Sequence, residues 1–190
     1  MPHTLHFPNS RVAIRPLQPE DGPALTALAI ESRELHHPWM HPPRNANEFA
    51  NLLDRMQPPT AKAWAVLNLP DHAPIGFIGL SQIFFGGFQS AYSSYWIGMG
   101  HQGQGKMTEA MRLMLHVAFQ EMGLHRIEAN VQPDNLASIA LVRGLGFVKE
   151  GFSEKYLKIL GQWRDHERWA IRQEIWPDAH LPRQAQPLKS

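Results

Sequence analysis

Several stretches of the chain predict β-strands, some because apolar and polar residues alternate and others because they are short runs of mainly apolar residues bounded by turns. The first is RVAIRPL at residues 11–17, and three more follow from residue 62, reading AWAVLNL, PIGFIGLSQIFF and AYSSYWIGM. HRIEANVQ at residues 125–132 predicts another strand. The segments FVKEGFSEKYLKI and QWRDHERWAIRQEI, on either side of Gly161, predict a final hairpin.

Between these strands, apolar residues recur every three or four positions, which indicates helices with one buried face. The longest runs from Lys106 to Gly123, a residue type that commonly follows a helix C-terminus. Its apolar face would consist of Met107, Ala110, Met111, Met114, Ala118 and Met122. Three further helices are predicted, over residues 19–33, after a cap at Asn45 or Asn47, and from a cap at Asn135 to about residue 144.

The order of these elements predicts an α+β fold with a mixed, mostly antiparallel sheet. One strand–helix–strand crossover, from Tyr95 to Gln132, would make its two strands parallel neighbours. We expect a single domain over residues 1–176, followed by a polar tail, PDAHLPRQAQPLKS, at residues 177–190. Arg164 to Glu167 are expected to be solvated residues of the last hairpin.

The amino-acid composition excludes several classes of protein. The chain has 190 residues, 43% of them apolar, which suits one domain with a sizeable core. No apolar run reaches the roughly 18 residues of a membrane span. The N-terminal MPHTLHFPNSR lacks the basic start and apolar segment of a signal peptide, so we expect a cytoplasmic protein. With no cysteine, disulfides, thiolate metal sites and a cysteine nucleophile are excluded.

The charge balance argues against nucleic acid as a partner, because 18 basic residues are matched by 17 acidic ones and the basic residues form no continuous block. His36, His37 and His41 lie close together in sequence, but they form neither an HExxH nor an HxH pattern. We therefore expect no metal site.

The stretch GHQGQGKMTEA, residues 100–110, joins a predicted strand to the long helix. Free N–H groups at a helix N-terminus bind anions, and glycines allow the close approach of a phosphate. Neither GxGxxG nor GxxxxGK[ST] is present, which disfavours dinucleotide-binding and P-loop sites. On these residues alone, a phosphate-binding loop and a simple entry into a helix are about equally supported.

Together with HRIEANVQPDNLASIALVRGLGFVKEG, this loop resembles the Gcn5-related N-acetyltransferase (GNAT) superfamily. The pattern NxxSxxLxxxLGF, the segment SRELHHPW at residues 32–39 and the ending GxMTEA are similar to its RimJ/RimL branch, which acetylates protein N-termini. The resemblance spans residues 11–176. It implies a central sheet of about seven strands with helices on both faces, and acetyl-CoA as co-substrate without a metal.

Two departures from the family pattern matter for the site. The [QR]xxGx[GA] loop of the family cradles the pyrophosphate of acetyl-CoA, but its first position here is Gly100, so backbone N–H groups must hold the anion. In many members a tyrosine protonates the departing thiolate. Val142 takes that place, whereas Ser138 matches a serine of this branch.

The resemblance implies a cofactor site between two strands that separate, those at residues 92–99 and 125–132, where the pantetheine arm pairs with the first. Backbone N–H groups near Ile97 to Met99 would bind the arm and polarise the thioester carbonyl, and the side chain of Asn135 would form a hydrogen bond with the arm. The implied cofactor-binding residues are Ile97, Gly98, Met99, His101, Gln102, Gly103, Gln104, Gly105, Lys106, Met107, Thr108, Asn135 and Ser138. Arg33, His36 and Trp39 would border the acceptor.

Ser138 is the expected thiolate donor and Glu128 the expected general base. If Ile127, Ala129 and Val131 pack under the long helix, the side chain of Glu128 faces the cleft. Its alternative role is an ion pair with Arg126. Glu31, Glu34 and His36 are rival bases, and the reaction can also proceed without a single base.

These expectations describe an acetyltransferase that acts by direct attack of a primary amine on acetyl-CoA. The implied acceptor is the α-amino group of a ribosomal or other protein. Two alternatives stay open: a small amine such as a polyamine, amino acid or aminoglycoside, and a non-catalytic acyl-CoA-binding module. A homodimer is possible.

Overall fold

A computed structural model describes residues 4–176 and 186–187 of the chain. Its nine strands form a single sheet in the order β7-β8-β6-β5-β4-β3-β2-β1-β9. The strands are Leu5–His6 (β1), Val12–Pro16 (β2), Lys62–Asn68 (β3), Pro74–Phe84 (β4), Ser90–Ile97 (β5), Arg126–Val131 (β6), Val148–Ile159 (β7), Gln162–Arg172 (β8) and Gln186–Pro187 (β9). The expected α+β class is confirmed. The sheet exceeds about seven strands because two-residue strands, β1 and β9, extend one edge.

Five α-helices accompany the sheet in the described part of the chain: Gly22–Glu31 (α1), Arg33–His36 (α2), Ala46–Arg55 (α3), Lys106–His116 (α4) and Leu136–Gly144 (α5). The single helix predicted over residues 19–33 is divided, because Ser32 leaves helical geometry between α1 and α2. The long helix after Lys106 continues as a wider π-helical turn over Val117–Glu121. The predicted caps are present: Asn45 accepts from the Glu48 amide and Asn135 from the Ser138 amide.

The helices lie on both faces of the sheet. On one face, α4 and α5 pack against a large apolar cluster that includes Ile127, Ala129 and Val131 of β6. On the other face, α1 and α3 enclose a smaller cluster around Phe77 and Trp96. Since β6 alternates buried and half-buried residues, its other side chains face away from α4, as the sequence predicts.

Strands β5 and β6 form the only parallel pair in the described sheet, and they pair over just three residues. The register runs from Ser90 opposite Arg126 to Tyr92 opposite Glu128. Beyond that point β5 remains paired with β4 as far as Ile97, and β6 remains paired with β8 as far as Val131. Each strand therefore keeps its outer neighbour while a gap opens between them, and this gap positions the site.

The proposed domain boundary at residue 176 stays a prediction. Residues 177–185 and 188–190 of the expected tail lie outside the described residues, and Gln186–Pro187 pair with β1. Within the described residues, no helix has both the length and the apolar character needed to cross a bilayer.

Asp21 fixes the chain where β2 leads into α1. The carboxylate is 2% exposed and accepts hydrogen bonds from both Arg15 Nη atoms, at 2.8 and 2.6 Å, and from the Gln18 amide at 2.9 Å. Arg15 is largely covered by the same contact. The pair thereby orients α1, whose far end borders the functional site.

We predict that Asp21→Ala lowers the free energy of unfolding by about 1–3 kcal/mol, because it leaves the Arg15 guanidinium and the Gln18 amide without their partner. Urea unfolding followed by circular dichroism measures the change. Glu20→Ala, at an exposed neighbouring carboxylate, is the matched control and should stay within about 0.5 kcal/mol of the parent. Equal losses in both variants would contradict the structural role of Asp21.

Candidate active site

The glycine loop between β5 and α4 owes its shape to backbone conformation. Gly100, Gly103 and Gly105 have φ of +84°, +70° and +76°, a region that L side chains rarely adopt. A Cβ at Gly103 would meet no other atom, so glycine is required there for its dihedral angle and not for space. The loop ends at the N-terminus of the 11-residue helix α4, where unpaired amides and the helix dipole favour an anion.

The amides of residues 102–105 donate to no protein acceptor within the described chain, which suits the predicted pyrophosphate contact. The amide of His101 does not fit this prediction, because it donates to the Gly98 carbonyl at 3.2 Å. Lys106 adds positive charge to the loop and lies 3.2 Å from His101 Nδ1. Burial, followed by the charge of Lys106, lowers the pKa of His101. The loop therefore presents backbone donors beside one ammonium group.

A cavity of about 590 Å³ lies between this loop, the end of β5 and helix α5. It collects most of the predicted cofactor residues, namely Ile97, His101, Gln102, Gly103, Gly105, Lys106, Met107, Thr108, Asn135 and Ser138. His36 and Trp39, predicted at the acceptor, also line it. Gly98, Met99 and Gln104 do not. We call this space the cofactor cavity.

The prediction that backbone N–H groups near Ile97 to Met99 bind the pantetheine arm needs correction for two of the three residues. The Gly98 amide donates to the Ile75 carbonyl at 2.9 Å, and the Met99 amide donates to Ser32 Oγ at 2.7 Å. Gly98 also packs so closely on Leu28 that any Cβ would overlap it. These two residues anchor the strand end, and only Ile97 reaches the cofactor cavity.

His36 supports this strand end from α2. It is 5% exposed, its Nε2 lies 2.9 Å from the Ile97 carbonyl oxygen, and its ring packs edge-on against Trp96. A carbonyl oxygen only accepts, so Nε2 carries the hydrogen. Burial lowers the pKa of His36, which keeps the imidazole neutral. Its observed contact is structural support for β5.

Ser138 forms a hydrogen bond with a residue that the sequence did not indicate. Its Oγ lies 2.6 Å from the hydroxyl of Tyr95, at the point where β5 faces α5. Burial raises the pKa of Tyr95 to about 12, so the phenol stays protonated. Val142, at the family's tyrosine position, is instead fully buried in the core. A phenol is thus present beside Ser138, and it comes from β5, the strand before the loop. Tyr95 lies two residues before Ile97 and therefore on the same face of β5, which is the sequence signal that could have indicated it.

A second cavity, of about 360 Å³, opens on the other side of this hydroxyl pair. It shares Trp39, Met40, Tyr95, Asn135 and Ser138 with the cofactor cavity, so the two spaces meet there. Among the residues that the structure describes, no aspartate or glutamate lines it. Its polar lining consists of Ser81, Gln82, Tyr92, Ser93, Ser94, Tyr95, Asn130, Gln132, Asn135, Ser138, Tyr156 and His166. We call this space the acceptor cavity, because a second substrate there would reach the same hydroxyl groups.

The structure does not bring Glu128 into either cavity. Its carboxylate accepts from Arg126 Nε at 2.9 Å, and Arg126 also pairs with Glu150. The alternative ion-pair role is therefore the observed one, and a role for Glu128 as base stays untested. Arg33, Glu31 and Glu34 are exposed and line neither cavity.

The expectation that residues 164–167 are all solvated is wrong for His166. This histidine is 3% exposed and lines the acceptor cavity. The ring of Tyr156 on β7 packs edge-on against it, a contact that local sequence does not reveal. In the described residues, no three histidine or acidic side chains are grouped as a metal site requires.

Comparison with known proteins gives a consistent result. Residues 11–148 match the model of the Acetyltransferase (GNAT) domain family. The chain is 33% identical to the Bacillus subtilis protein named probable N-acetyltransferase YjcK, over 84% of this chain and 93% of that protein. It is 31% identical to the [ribosomal protein uS5]-alanine N-acetyltransferase of Escherichia coli, over 87% and 90% of the two chains.

Solved structures show the same fold. Mycobacterium smegmatis RimJ in complex with CoA-disulfide superimposes with a TM-score of 0.81 at 26% identity, over 92% of this chain and 88% of that chain. The spermidine N-acetyltransferase of Vibrio cholerae, in complex with CoA and spermine, gives 0.75 at 25% identity, over 88% and 99%.

We predict that Gly103→Val weakens acetyl-CoA binding roughly tenfold or more, because valine cannot hold the φ that aims the loop amides into the cofactor cavity. Calorimetric titration measures the dissociation constant. Gly123→Val is the matched control: its φ of +66° imposes the same strain, and it lines neither cavity. Both variants should lose stability, but Gly123→Val should retain affinity. Equal acetyl-CoA affinities for the two variants would show that the loop only connects β5 to α4 and does not bind the anion.

We predict that Ser138→Ala and Tyr95→Phe each lower kcat about tenfold or more while the acetyl-CoA dissociation constant changes little, because each removes part of one proton-donating pair. The double variant should lose no more than the worse single variant, since the two hydroxyl groups act as one unit. Steady-state CoA release supplies the rates. Losses that multiply in the double variant would show that the hydroxyl groups act independently.

Proposed function

Because this chain belongs to the GNAT acetyltransferase family and is an acetyl-CoA-dependent N-acetyltransferase, we propose that its acceptor is the N-terminal α-amino group of a ribosomal or other protein. The observation that carries this proposal is the acceptor cavity, whose lining in the described residues contains no carboxylate. A terminal amine brings a single charge together with neutral peptide groups. Serine, asparagine, glutamine and tyrosine side chains suit such a ligand, because they can bond to N–H and C=O groups alike.

Residues of the two cavities have different roles in the acetyl transfer. The loop amides and Lys106 would hold the pyrophosphate, and Ile97 and its strand would align the pantetheine arm. The Tyr95–Ser138 pair lies where the two cavities meet. When bound, acetyl-CoA supplies the activated acyl group. The amine attacks directly, since the chain has no cysteine to carry the acetyl group. Holding both reactants in adjoining cavities supplies the proximity that the reaction needs.

The hydroxyl pair supplies the proton that the leaving sulfur requires. With a pKa of about 12, Tyr95 remains a neutral donor throughout the physiological range. Its hydrogen bond of 2.6 Å to Ser138 allows either oxygen to give the proton while the other replaces it. Asn135 holds the first turn of α5 through the Ser138 amide, and so keeps Ser138 in position.

A small-molecule amine is the alternative acceptor, and the likeness to the Vibrio cholerae spermidine N-acetyltransferase is its main support. A polyamine carries several positive charges, which carboxylates would have to balance. Glu48 lies in an adjoining depression beside α3, which shares Met40 and Ser94 with the acceptor cavity, but Glu48 itself lines neither the cofactor nor the acceptor cavity. The uncharged lining thus favours a protein N-terminus over a polycation. A cytoplasmic location, a homodimer and the lack of a nucleic-acid partner stay predictions.

We expect peptides with a free N-terminal alanine or serine to be acetylated with a kcat/KM roughly tenfold or more above that of spermine, because the cavity offers no compensating negative charge. A CoA-release assay gives the rates, and mass spectrometry places the acetyl group on the α-nitrogen. The matched control is the same peptide with a blocked N-terminus and an internal lysine, which should react poorly. A higher kcat/KM for spermine would reverse the assignment.

A further inference from the structure

The acceptor cavity contains a buried imidazole to which no step above gives a role. His166 lies on β8, and the β6–β8 register pairs Val131 with Glu167, which places His166 opposite Gln132. It therefore shares the face of Asn130 and Gln132, the side of β6 away from α4. All three residues line the acceptor cavity. The imidazole thus lies where an acceptor amine would be held.

The position of its proton follows from one contact. Nδ1 of His166 lies 3.0 Å from the carbonyl oxygen of Arg164. A carbonyl oxygen only accepts, so Nδ1 carries the hydrogen, and the neutral ring then has a lone pair on Nε2. Among the described residues no group bonds to Nε2. The ring is therefore held in the tautomer that can take up a proton.

The surroundings keep this ring unprotonated near neutral pH. Burial lowers the pKa of His166 below its ordinary value of 6.5, while the Arg164 carbonyl and the charge of Asp165 act in the opposite direction. The parts of β4, β6, α5 and the segment after α2 that line the cavity are uncharged. The titratable or charged groups on the strands around the ring are Arg164, Asp165, Arg168 and Glu167, which is bonded to Lys149, on β8, Glu154, Lys155, Tyr156 and Lys158 on β7, and Tyr92 on β5.

The other candidate bases have different roles. Glu128 is bonded to Arg126 and lines neither cavity. His36 uses Nε2 to hold the Ile97 carbonyl, and it borders the cofactor cavity instead of the acceptor cavity. A base must reach the proton that it removes, directly or through one water. By that requirement His166 is the best placed of the three.

We propose that His166 Nε2 is the general base that takes a proton from the acceptor ammonium, and that Asn130 Oδ1 accepts another N–H of the same group. Asn130 Oδ1 is buried and has no hydrogen-bond partner in the described protein, so an amine would satisfy it. This inference rests on acetyl transfer to an amine and is independent of which amine is used.

The ammonium loses one proton to His166, which later releases it to solvent. The free amine forms the C–N bond as the C–S bond breaks, and sulfur leaves with the bonding electron pair. Sulfur takes a proton from the Tyr95–Ser138 pair, and the nitrogen's second proton restores that pair. The products are an amide and the CoA thiol.

The test compares two histidine variants. His166→Asn keeps a donor for the Arg164 carbonyl but lacks Nε2, so kcat at pH 7 should fall roughly 100-fold while the acetyl-CoA dissociation constant is unchanged. His125→Asn is the matched control, because that exposed ring pairs with Glu174 outside both cavities and should leave kcat unaltered. A kcat of His166→Asn within twofold of the parent would overturn the proposal. So would a larger loss in Glu128→Gln.

The pH profile gives a readout that a structural role would not move. His166 acts only when neutral, so wild-type kcat/KM, which reports the ionisation of groups in the free enzyme, should fall as pH drops through a pKa below 6.5, and His166→Asn should lack that limb. NMR titration of the His166 ring in the wild-type enzyme should give the same midpoint, whether or not the variant folds. A mismatch between the two midpoints would refute the assignment. Any amine that wild type acetylates serves, so a wrong acceptor assignment leaves this test intact.

Discussion

The short pairing between β5 and β6 is the constraint on which the site depends. Three residue pairs hold the two strands together, and then each strand stays with its outer neighbour. Where the backbone pairing ends, Ser93 Oγ donates to the Glu128 carbonyl at 2.9 Å, so a side-chain hydrogen bond makes the last contact between the two strands. Both cavities lie beside the ends of these strands, and the acceptor cavity has a mainly polar, uncharged set of side chains. The ends of both strands meet there, and the two cavities form on either side of the gap.

Separated strands would close or fray unless other groups held their ends, and the structure supplies such groups on both sides. Ser32, His36 and Ile75 bond to the end of β5. Gln132, just past β6, donates to the Trp39 carbonyl at 3.0 Å and so connects that end to the segment after α2. Because the first helix divides at Ser32, the hydroxyl of Ser32 and the ring of His36 on the following α2 both reach the end of β5.

The elements of the fold could be read from sequence because their signals are local. Alternation in β6 correctly predicted which residues pack under α4, and Asn45 and Asn135 cap helices as expected. The site was predictable only where a motif carried it, as in the glycine loop and Ser138. Tyr95 and His166 were missed because burial of a strand residue depends on which distant elements cover it. The Glu128–Arg126 pair was foreseeable as an alternative, since both residues project from the same face two positions apart.

The positive φ values of the glycine loop also affect how such proteins diverge in sequence. The anion site depends on main-chain geometry, so the side chains between the glycines are free to change as long as the dihedral angles remain available. At Gly100, where the family has glutamine or arginine, the positive φ makes the main chain the remaining determinant of the loop's shape. A search pattern that weights the polar residue at the head of the motif would pass over chains of this kind, whereas glycine spacing followed by a helix would retain them.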